Sequence, residues 1–538
     1  MRRPRRRAAS PADVALPPAG WGKAGIFLGW DPSAKWGPDG IPLCEDWWEA
    51  VVLGGARNVA GQWVTEATCG VAAGPGAGKS SGLLAGAVAF TGTQGPMVIG
   101  STRPDLVFWT SAIRSKRGGK VQIIDWKGQQ AASLPWPRVR WSPLDGCADP
   151  SVCGERIDAM MDVIEMGRPQ TEAFWHVQAG QVLSAYCHSA ALEGSGMTRV
   201  LAWLRRGELL EPQRIIEAHG SRAGFGEELA ALAGPASETR DSVMASARLV
   251  FASLSDPAVL DGCTPSAEDA FDIDRFLDGP STLYLLDKGS KSAVSKQAPL
   301  TVALVNAILE RAEARADATP PGPGGIAGRL YPGLTLILDE VSNISPLPAL
   351  PQILSQARGR GITVIFAIQS RSQLNQWGEA GAKAILDTSA YLLVGAGLGR
   401  DQEFLTTISK SLGERHVWRP SVGEQHPGGS GPAHKAGSSE SWSLMETPNL
   451  KASALASLPE GSAVLMGREG WRVVQIPALP GLEPFRTMMM GDDAAPVAEC
   501  PPSLLPAPEY GPEYGPEDWC WPPASPPWWR RLLRSWAR

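Results

Sequence analysis

The stretch Ala73-Gly74-Pro75-Gly76-Ala77-Gly78-Lys79-Ser80 constrains this chain more than any other, because it sets a glycine-rich turn between an apolar run and a helix-like run. Three glycines within five residues let successive backbone N–H groups face one anion. Lys79 can then reach terminal phosphates, and the Ser80 hydroxyl suits a hard cation such as Mg²⁺. Gly74, Pro75, Gly76, Ala77, Gly78, Lys79, Ser80 and Ser81 are therefore the expected cradle for a nucleoside triphosphate, with ATP and Mg²⁺ as the expected cofactors. Ala73 stands where glycine is usual, which predicts a slightly different turn.

Far downstream, Leu334-Thr335-Leu336-Ile337-Leu338 reads as a buried strand that ends in Asp339-Glu340. Two carboxylates at such a place can divide the work of phosphoryl transfer, one holding the metal shell and the next orienting and deprotonating water. Asp339, with Ser80, is assigned to metal and Glu340 to water.

At 538 residues and 43% apolar composition, the chain has the length for two or three globular domains. A net charge of -5 gives no global attraction to polyanions, so contact with nucleic acid has to come from local patches. The eight cysteines show no CxxC pair and the six histidines no zinc spacing, which predicts reduced thiols in a cytoplasmic protein. Five arginines crowd the first ten residues, yet no apolar run of signal or membrane-span length follows.

Along the chain, residues 1–62 form a Trp/Pro/Gly-rich lead-in, within which Trp47 to Leu53 fits strand or helix. Residues 63–150 alternate strand and helix, with Met97 to Ser101 and Val121 to Asp125 as strands and a helix from Pro104. Alternation of this kind implies a parallel sheet in an α/β fold. Residues 151–270 carry helical spacing, as in Phe174, Val177, Val182, Leu183 and Tyr186, and read as an all-α insertion. Residues 271–490 resume alternation, with strands at Thr282 to Leu286 and Thr363 to Gln369, and helices at Pro299 to Ala316 and near Leu350 to Arg358. Two loops, Ala318 to Gly333 and Gly423 to Ser439, are rich in Gly. Residues 491–538 form a proline-rich tail with a PEYG tandem and no means of packing a core. Its last residues put Trp529, Leu532, Leu533 and Trp536 on one helical side and arginines around the other, which suits either an interfacial helix or a frayed tail.

These motifs together resemble the coupling-protein ATPases of conjugative type IV secretion, the TraG-like family in its actinobacterial form. The resemblance covers about residues 65 to 480. Ser101-Thr102-Arg103-Pro104-Asp105-Leu106, Val121 to Gly128 and the connector Arg138 to Pro150 (RVRWSPLDGCADP) carry it on the first side. Arg240-Asp241-Ser242-Val243, Phe271-Asp272-Ile273-Asp274 and Thr282 to Leu286 carry it on the return. The family implies a RecA-like P-loop NTPase domain with a mostly parallel sheet and an inserted all-α domain, working as a hexameric ring beneath a membrane channel. It implies DNA, single-stranded or relaxase-linked, as cargo, and secretion-channel or membrane-recruitment proteins as partners.

Two more residues follow from the resemblance: Gln369, as a sensor of the terminal phosphate, and Arg358, as the arginine that reaches a neighbouring subunit's nucleotide. On the residues alone, Gln369 can equally cap a strand, and Arg358 and Arg360 can be solvated residues at a helix end. Asp125 and Lys127 read as a salt-linked strand end, and Phe174-Trp175-His176 as core. Most family members carry two transmembrane helices before the motor. Their lack here leaves a cytoplasmic protein with peripheral attachment through the termini, or recruitment by another protein. A soluble DNA pump of the chromosome-partition kind, and an ATP-binding recruitment adaptor that hydrolyses little, remain alternative functions. Ala73 is the feature that points to the adaptor.

Overall fold

The structure is a computed structural model. It describes residues 26–30, 50–53, 55–57, 63–65, 67–90 and 95–481, apart from 117, 167–172, 222, 235–236, 290–293, 321–327, 424–438, 469 and 477, together with residues 486 and 489. The Arg-rich start, the PEYG tandem and the Trp/Arg end lie outside the described residues.

The chain first forms β1 (Ile26–Trp30), β2 (Ala50–Leu53), β3 (Gly55–Arg57), β4 (Trp63–Thr65) and β5 (Thr68–Ala72). A π-helical turn, Lys79–Leu84, runs into α1 (Ala85–Phe90), followed by β6 (Met97–Ser101), α2 (Asp105–Lys116) and β7 (Val121–Asp125). Eight helices come next: α3 (Pro150–Glu165), α4 (Ala173–Glu193), α5 (Met197–Arg206), α6 (Leu210–Ala218), α7 (Phe225–Ala233), α8 (Ser237–Val250), α9 (Pro257–Gly262) and α10 (Ile273–Leu277). The sheet resumes with β8 (Thr282–Leu286), α11 (Ala298–Asp317), β9 (Leu334–Leu338), α12 (Leu350–Gln356) and β10 (Ile362–Ile368). The chain closes with α13 (Gly378–Thr388), β11 (Tyr391–Gly395), α14 (Gln402–Ser411), β12 (Glu414–Gly423), β13 (Ser439–Pro448), α15 (Ala452–Ala456), β14 (Ser462–Gly467) and β15 (Gly470–Gln475).

Eleven strands form one sheet in the order β2-β1-β15-β14-β11-β5-β10-β9-β6-β8-β7. The seven from β11 to β7 are parallel. Every residue of β5, β6, β8, β9 and β10 is buried. That is why these segments read as unbroken apolar runs: with helices on both faces, neither side of a strand meets water. The remaining four strands are antiparallel. The mostly parallel RecA-like P-loop fold with an inserted helical part is therefore the observed one. The antiparallel edge adds to it, because β1 and β2, in the lead-in, close the far side of the main sheet.

The helical insertion begins cleanly. Asp149 caps α3, accepting from Ser151 N and Val152 N, with Pro150 in the first turn, where its missing N–H costs nothing. The entry and exit segments pair directly: Arg140 N donates to Asp269 O and Phe271 N to Arg140 O, both at 2.8 Å. Arg140 also bonds Asp261 and Asp269 through its guanidinium. Within the insertion α4 packs against α3, α5, α6, α7 and α8, and α3 packs back onto α11 of the sheet region. Val182, Leu183 and Tyr186 are buried as their spacing predicts, whereas Val177 is 62% exposed, so the buried face of α4 is turned away from that residue. His176 is buried; the side chains of Phe174 and Trp175 lie outside the described residues. No helix among the described residues is long and apolar enough to cross a membrane. The five described cysteines are free and buried.

Candidate functional site: a nucleotide cradle at the sheet edge

The phosphate-loop residues leave the C-terminal end of β5, between β10 and β11, where an open parallel sheet forms its ligand crevice. Gly76 (φ 78°) and Gly78 (φ 77°) adopt left-handed backbone with open space where a Cβ would stand, so conformation alone requires glycine there. Gly74 is required by proximity instead. A Cβ on it would lie 2.3 Å from Gly397 O, and its own N–H donates to Ala396 O at 2.8 Å. Ala73 is buried and its φ is not positive, so an ordinary residue fits where glycine is usual.

Lys79 is buried, and its ammonium donates to Ala73 O at 2.6 Å and Gly74 O at 2.8 Å. Burial lowers its pKa, against the opposing charges of Asp339 and Glu340. Ser80 sits in the π-type turn and donates from Oγ to Asp339 Oδ2 at 2.9 Å. Ser101, at the end of β6, donates to the same oxygen at 3.4 Å. Burial raises the Asp339 pKa, as does the charge of Glu340, while the Ser80 bond and Lys79 act the other way. The Ser80 hydroxyl and the buried Asp339 carboxylate, 2.9 Å apart, form a hard-oxygen donor set that fits Mg²⁺. No cluster of three or more His, Cys, Asp or Glu residues suited to a metal occurs among the described residues. Phosphate and water complete the shell in a site of this type.

Glu340 is the one non-glycine residue with positive φ (60°) among the described residues. Its Oε1 accepts from Gln369 Nε2 at 2.8 Å, and Gln369 N in turn donates to Gln373 Oε1 at 2.6 Å. The sequence-predicted residues of β5, β9 and β10 thus meet at one edge: Lys79, Ser80, Asp339, Glu340 and Gln369.

Residues 333–460 match a family model described as the TraM recognition site of TraD and TraG. The fold is that of solved conjugative coupling proteins. The unbound monoclinic form of TrwBdeltaN70, a bacterial conjugative coupling protein, is 20% identical over 78% of this chain and 88% of its own, with a TM-score of 0.54. The plasmid coupling protein TrwB in complex with ADP and Mg²⁺ is 19% identical over 79% of this chain and 89% of its own, also at 0.54. The trigonal TrwBdeltaN70 form in complex with sulphate covers 85% of this chain and 94% of its own at 18% identity, with a TM-score of 0.55. The resemblance to TraG-like coupling proteins holds. Among curated proteins, no sequence match reaches significance.

The TraG/TraD match takes in Asp339, Glu340, Arg358 and Gln369. Arg358 stands apart from the others. It is exposed, in the 3₁₀ turn Ala357–Arg360 that precedes β10, at the opposite edge of the sheet from the cradle. Seven residues of β10 separate the two edges, about 23 Å at the rise of an extended strand. The structure therefore does not bring Arg358 to this chain's own cradle. Arg360 beside it pairs with Glu313 on α11.

Asp125 accepts from the backbone N–H groups of Lys127, Gln130 and Ala131, and Lys127 pairs with Asp256 at 3.6 Å, which is the salt-linked strand end the sequence suggested. Sequence reasoning missed Ser101 and Gly397. The Ser101-Thr102-Arg103 turn signalled the first, as a hydroxyl closing a strand. The run Gly395-Ala396-Gly397 signalled the second, as backbone that another loop can approach closely.

Proposed function

We propose that this chain is an ATP-hydrolysing coupling protein of a conjugative, type IV secretion-like system, delivering or translocating DNA to a membrane channel. The observation that carries the reading is the pair of contacts that join three strands at one edge, Ser80 to Asp339 and Gln369 to Glu340. In this reading residues 63–150 and 271–490 form the motor and 151–270 the inserted helical domain. TrwB in complex with ADP and Mg²⁺ shares the fold and supports the choice of ligand.

Residues 74–81 wrap the phosphates, and Lys79 exchanges the carbonyls of Ala73 and Gly74 for phosphate oxygens. Ser80 and Asp339 would hold Mg²⁺, which would supply neutralisation of phosphate charge. Gln369 orients Glu340 through the 2.8 Å bond, and Glu340 takes the proton of the attacking water as the bond to the leaving diphosphate breaks. Arg358, at the far edge, is suited to serve the cradle of an adjacent copy in a hexamer, where it stabilises charge on the transferred phosphoryl group. The adaptor alternative draws on Ala73 alone; backbone there is ordinary, and measured turnover decides between the two readings.

The test is ATP hydrolysis by the purified chain with and without single- and double-stranded DNA, together with a mixing experiment. Lys79→Ala and Arg358→Ala chains are each expected to be inactive, and mixing them to restore part of the turnover, because mixed rings contain intact cradles facing intact arginines. Failure to recover on mixing contradicts the trans role of Arg358. Turnover indifferent to DNA contradicts the DNA motor.

A further inference from the structure

Three adjacent strands end in register at the edge that carries the cradle. Ser101 of β6 and Asp125 of β7 both pair with Leu286 of β8. Two residues beyond each of these positions stands a cation: Arg103, Lys127 and Lys288. Arg103 and Lys288 are exposed, as is Lys296, which closes the loop from β8 to α11. Lys127 is neutralised by Asp256.

The carboxylates at this edge are largely committed. Asp125 is bound by three backbone N–H groups. Asp287 is buried and accepts from Gly289 N and Ser295 Oγ. Asp105, on the first turn of α2, is the nearest acid in sequence to Arg103. A positive surface therefore stands on a chain whose net charge is -5.

This surface is held by specific contacts. With its amide oriented to satisfy both ends, Gln130 donates to Thr102 O at 3.3 Å and accepts from Lys288 N at 3.0 Å. One side chain thus fastens the loops that carry Arg103 and Lys288. Gly289 and Ser295 rest on the turn that follows β9: Ser295 N donates to Asn343 O at 3.1 Å, and Gly289 lies so close that a Cβ there would stand 3.1 Å from Asn343 Nδ2. Asn343 N donates to Glu340 O at 3.0 Å, so the turn bearing the loop starts at Glu340 itself.

We propose that Arg103, Lys288 and Lys296 form a contact for the phosphate backbone of single-stranded nucleic acid, with Gln130 as its positioning residue and the Glu340–Asn343 turn as its mechanical link to the cradle. The proposal rests on the DNA-coupled reading above and assigns residues to it. Cations at the ends of neighbouring strands, about 4.8 Å apart in the sheet, recognise a polyanion without base readout.

The test is fluorescence anisotropy of a labelled single-stranded 30-mer bound to the full chain, between 50 and 200 mM salt. The variant Arg103→Ala/Lys288→Ala/Lys296→Ala is expected to bind more weakly and to lower the slope of log affinity against log salt by about 2, at roughly 0.7 per phosphate contact. The fourfold rise in salt then costs it about 20-fold less affinity than it costs the parent. Gln130→Ala, which removes no charge, is expected to weaken binding with little change in slope, and Lys116→Ala/Lys120→Ala, at the opposite edge, to bind as the parent does. Basal ATP hydrolysis is expected to stay at the parent level in all three.

If the parent binds the oligonucleotide and the triple variant binds it equally, with the same slope, the assignment is overturned while the DNA reading stands. An equal loss in the Lys116/Lys120 variant also overturns it. A parent chain that hydrolyses ATP but binds no oligonucleotide overturns the assignment and the DNA reading together.

Discussion

The backbone at Glu340 reverses an ordinary preference, and replacing that residue by alanine or glycine measures the reversal. Both substitutions remove the carboxylate and its bond to Gln369, so the losses at the side chain cancel in the comparison. What remains is the cost of φ 60°. For a residue with a Cβ, the left-handed region costs roughly 1–2 kcal/mol, because Cβ crowds the following carbonyl. Glycine escapes that cost but loses about 0.4–1 kcal/mol through the greater freedom of its unfolded chain. Glu340→Gly should therefore be more stable than Glu340→Ala by about 1 kcal/mol. In an ordinary position alanine is the more stable of the two. Thermal denaturation of the two variants, side by side, should place glycine a few degrees higher, since 1 kcal/mol moves the midpoint of a domain of 150–250 residues by about 2–4 °C. An alanine variant that melts at or above the glycine variant would refute the claim that Glu340 sits on strained backbone.

Other expectations follow from the same geometry. Gly74→Ala drives a Cβ to 2.3 Å from Gly397 O, a backbone atom that cannot swing aside, so it should destabilise the cradle by about 1–3 kcal/mol and weaken nucleotide binding in a fluorescent-analogue titration; unchanged affinity would contradict the close approach. Ala73→Gly should leave turnover at the parent level, because φ at that position makes no demand for glycine. Gln369→Ala should lower ATP turnover at least tenfold while nucleotide affinity is kept, the signature of an orienting group acting on the general base. Glu310, on α11 against α3, has its pKa raised from 4.5 to about 7 by burial, with Glu155 and Glu313 adding to the rise and Arg156 opposing it. With the folded value above the unfolded one, stability from this group is present below about 4.5 and lost as pH rises through about 7, so Glu310→Gln should raise the melting temperature at pH 8 and leave it unchanged near pH 4.

The parallel half of the fold was legible because burial on both faces forces apolar runs. Met97 to Ser101, Val121 to Asp125, Thr282 to Leu286 and Leu334 to Leu338 all read as strands and are strands. The antiparallel half was not. Tyr391 to Gly395 and Ser462 to Gly467 are as apolar, but no motif flanks them to fix the register. The ribbon of β12 and β13 contains Pro420, which counts against a strand unless both strands are edges, as they are in a two-stranded sheet. At the site, residue types that chemistry demands were readable: Lys79, Ser80, Asp339 and Glu340 meet as the motifs suggested, whereas Gln369 was indicated only by the family resemblance. Ser101 and Gly397 carried only local signals, a hydroxyl closing a strand and a glycine pair, because their roles arise from the crossing of distant segments. The left-handed conformation at Glu340 was invisible for a related reason. It is imposed by the turn that follows β9, and glutamate gives no local sign of it.

The central claim is that the edge shared by β5, β9 and β10 binds and hydrolyses ATP through separate sets of residues. Its most direct test is to measure nucleotide affinity and single-turnover hydrolysis on one preparation each of the parent, Lys79→Ala and Glu340→Gln. The account predicts that Lys79→Ala loses both, whereas Glu340→Gln binds ATP with parent-like affinity and does not turn it over. Hydrolysis at the parent rate by Glu340→Gln would contradict it.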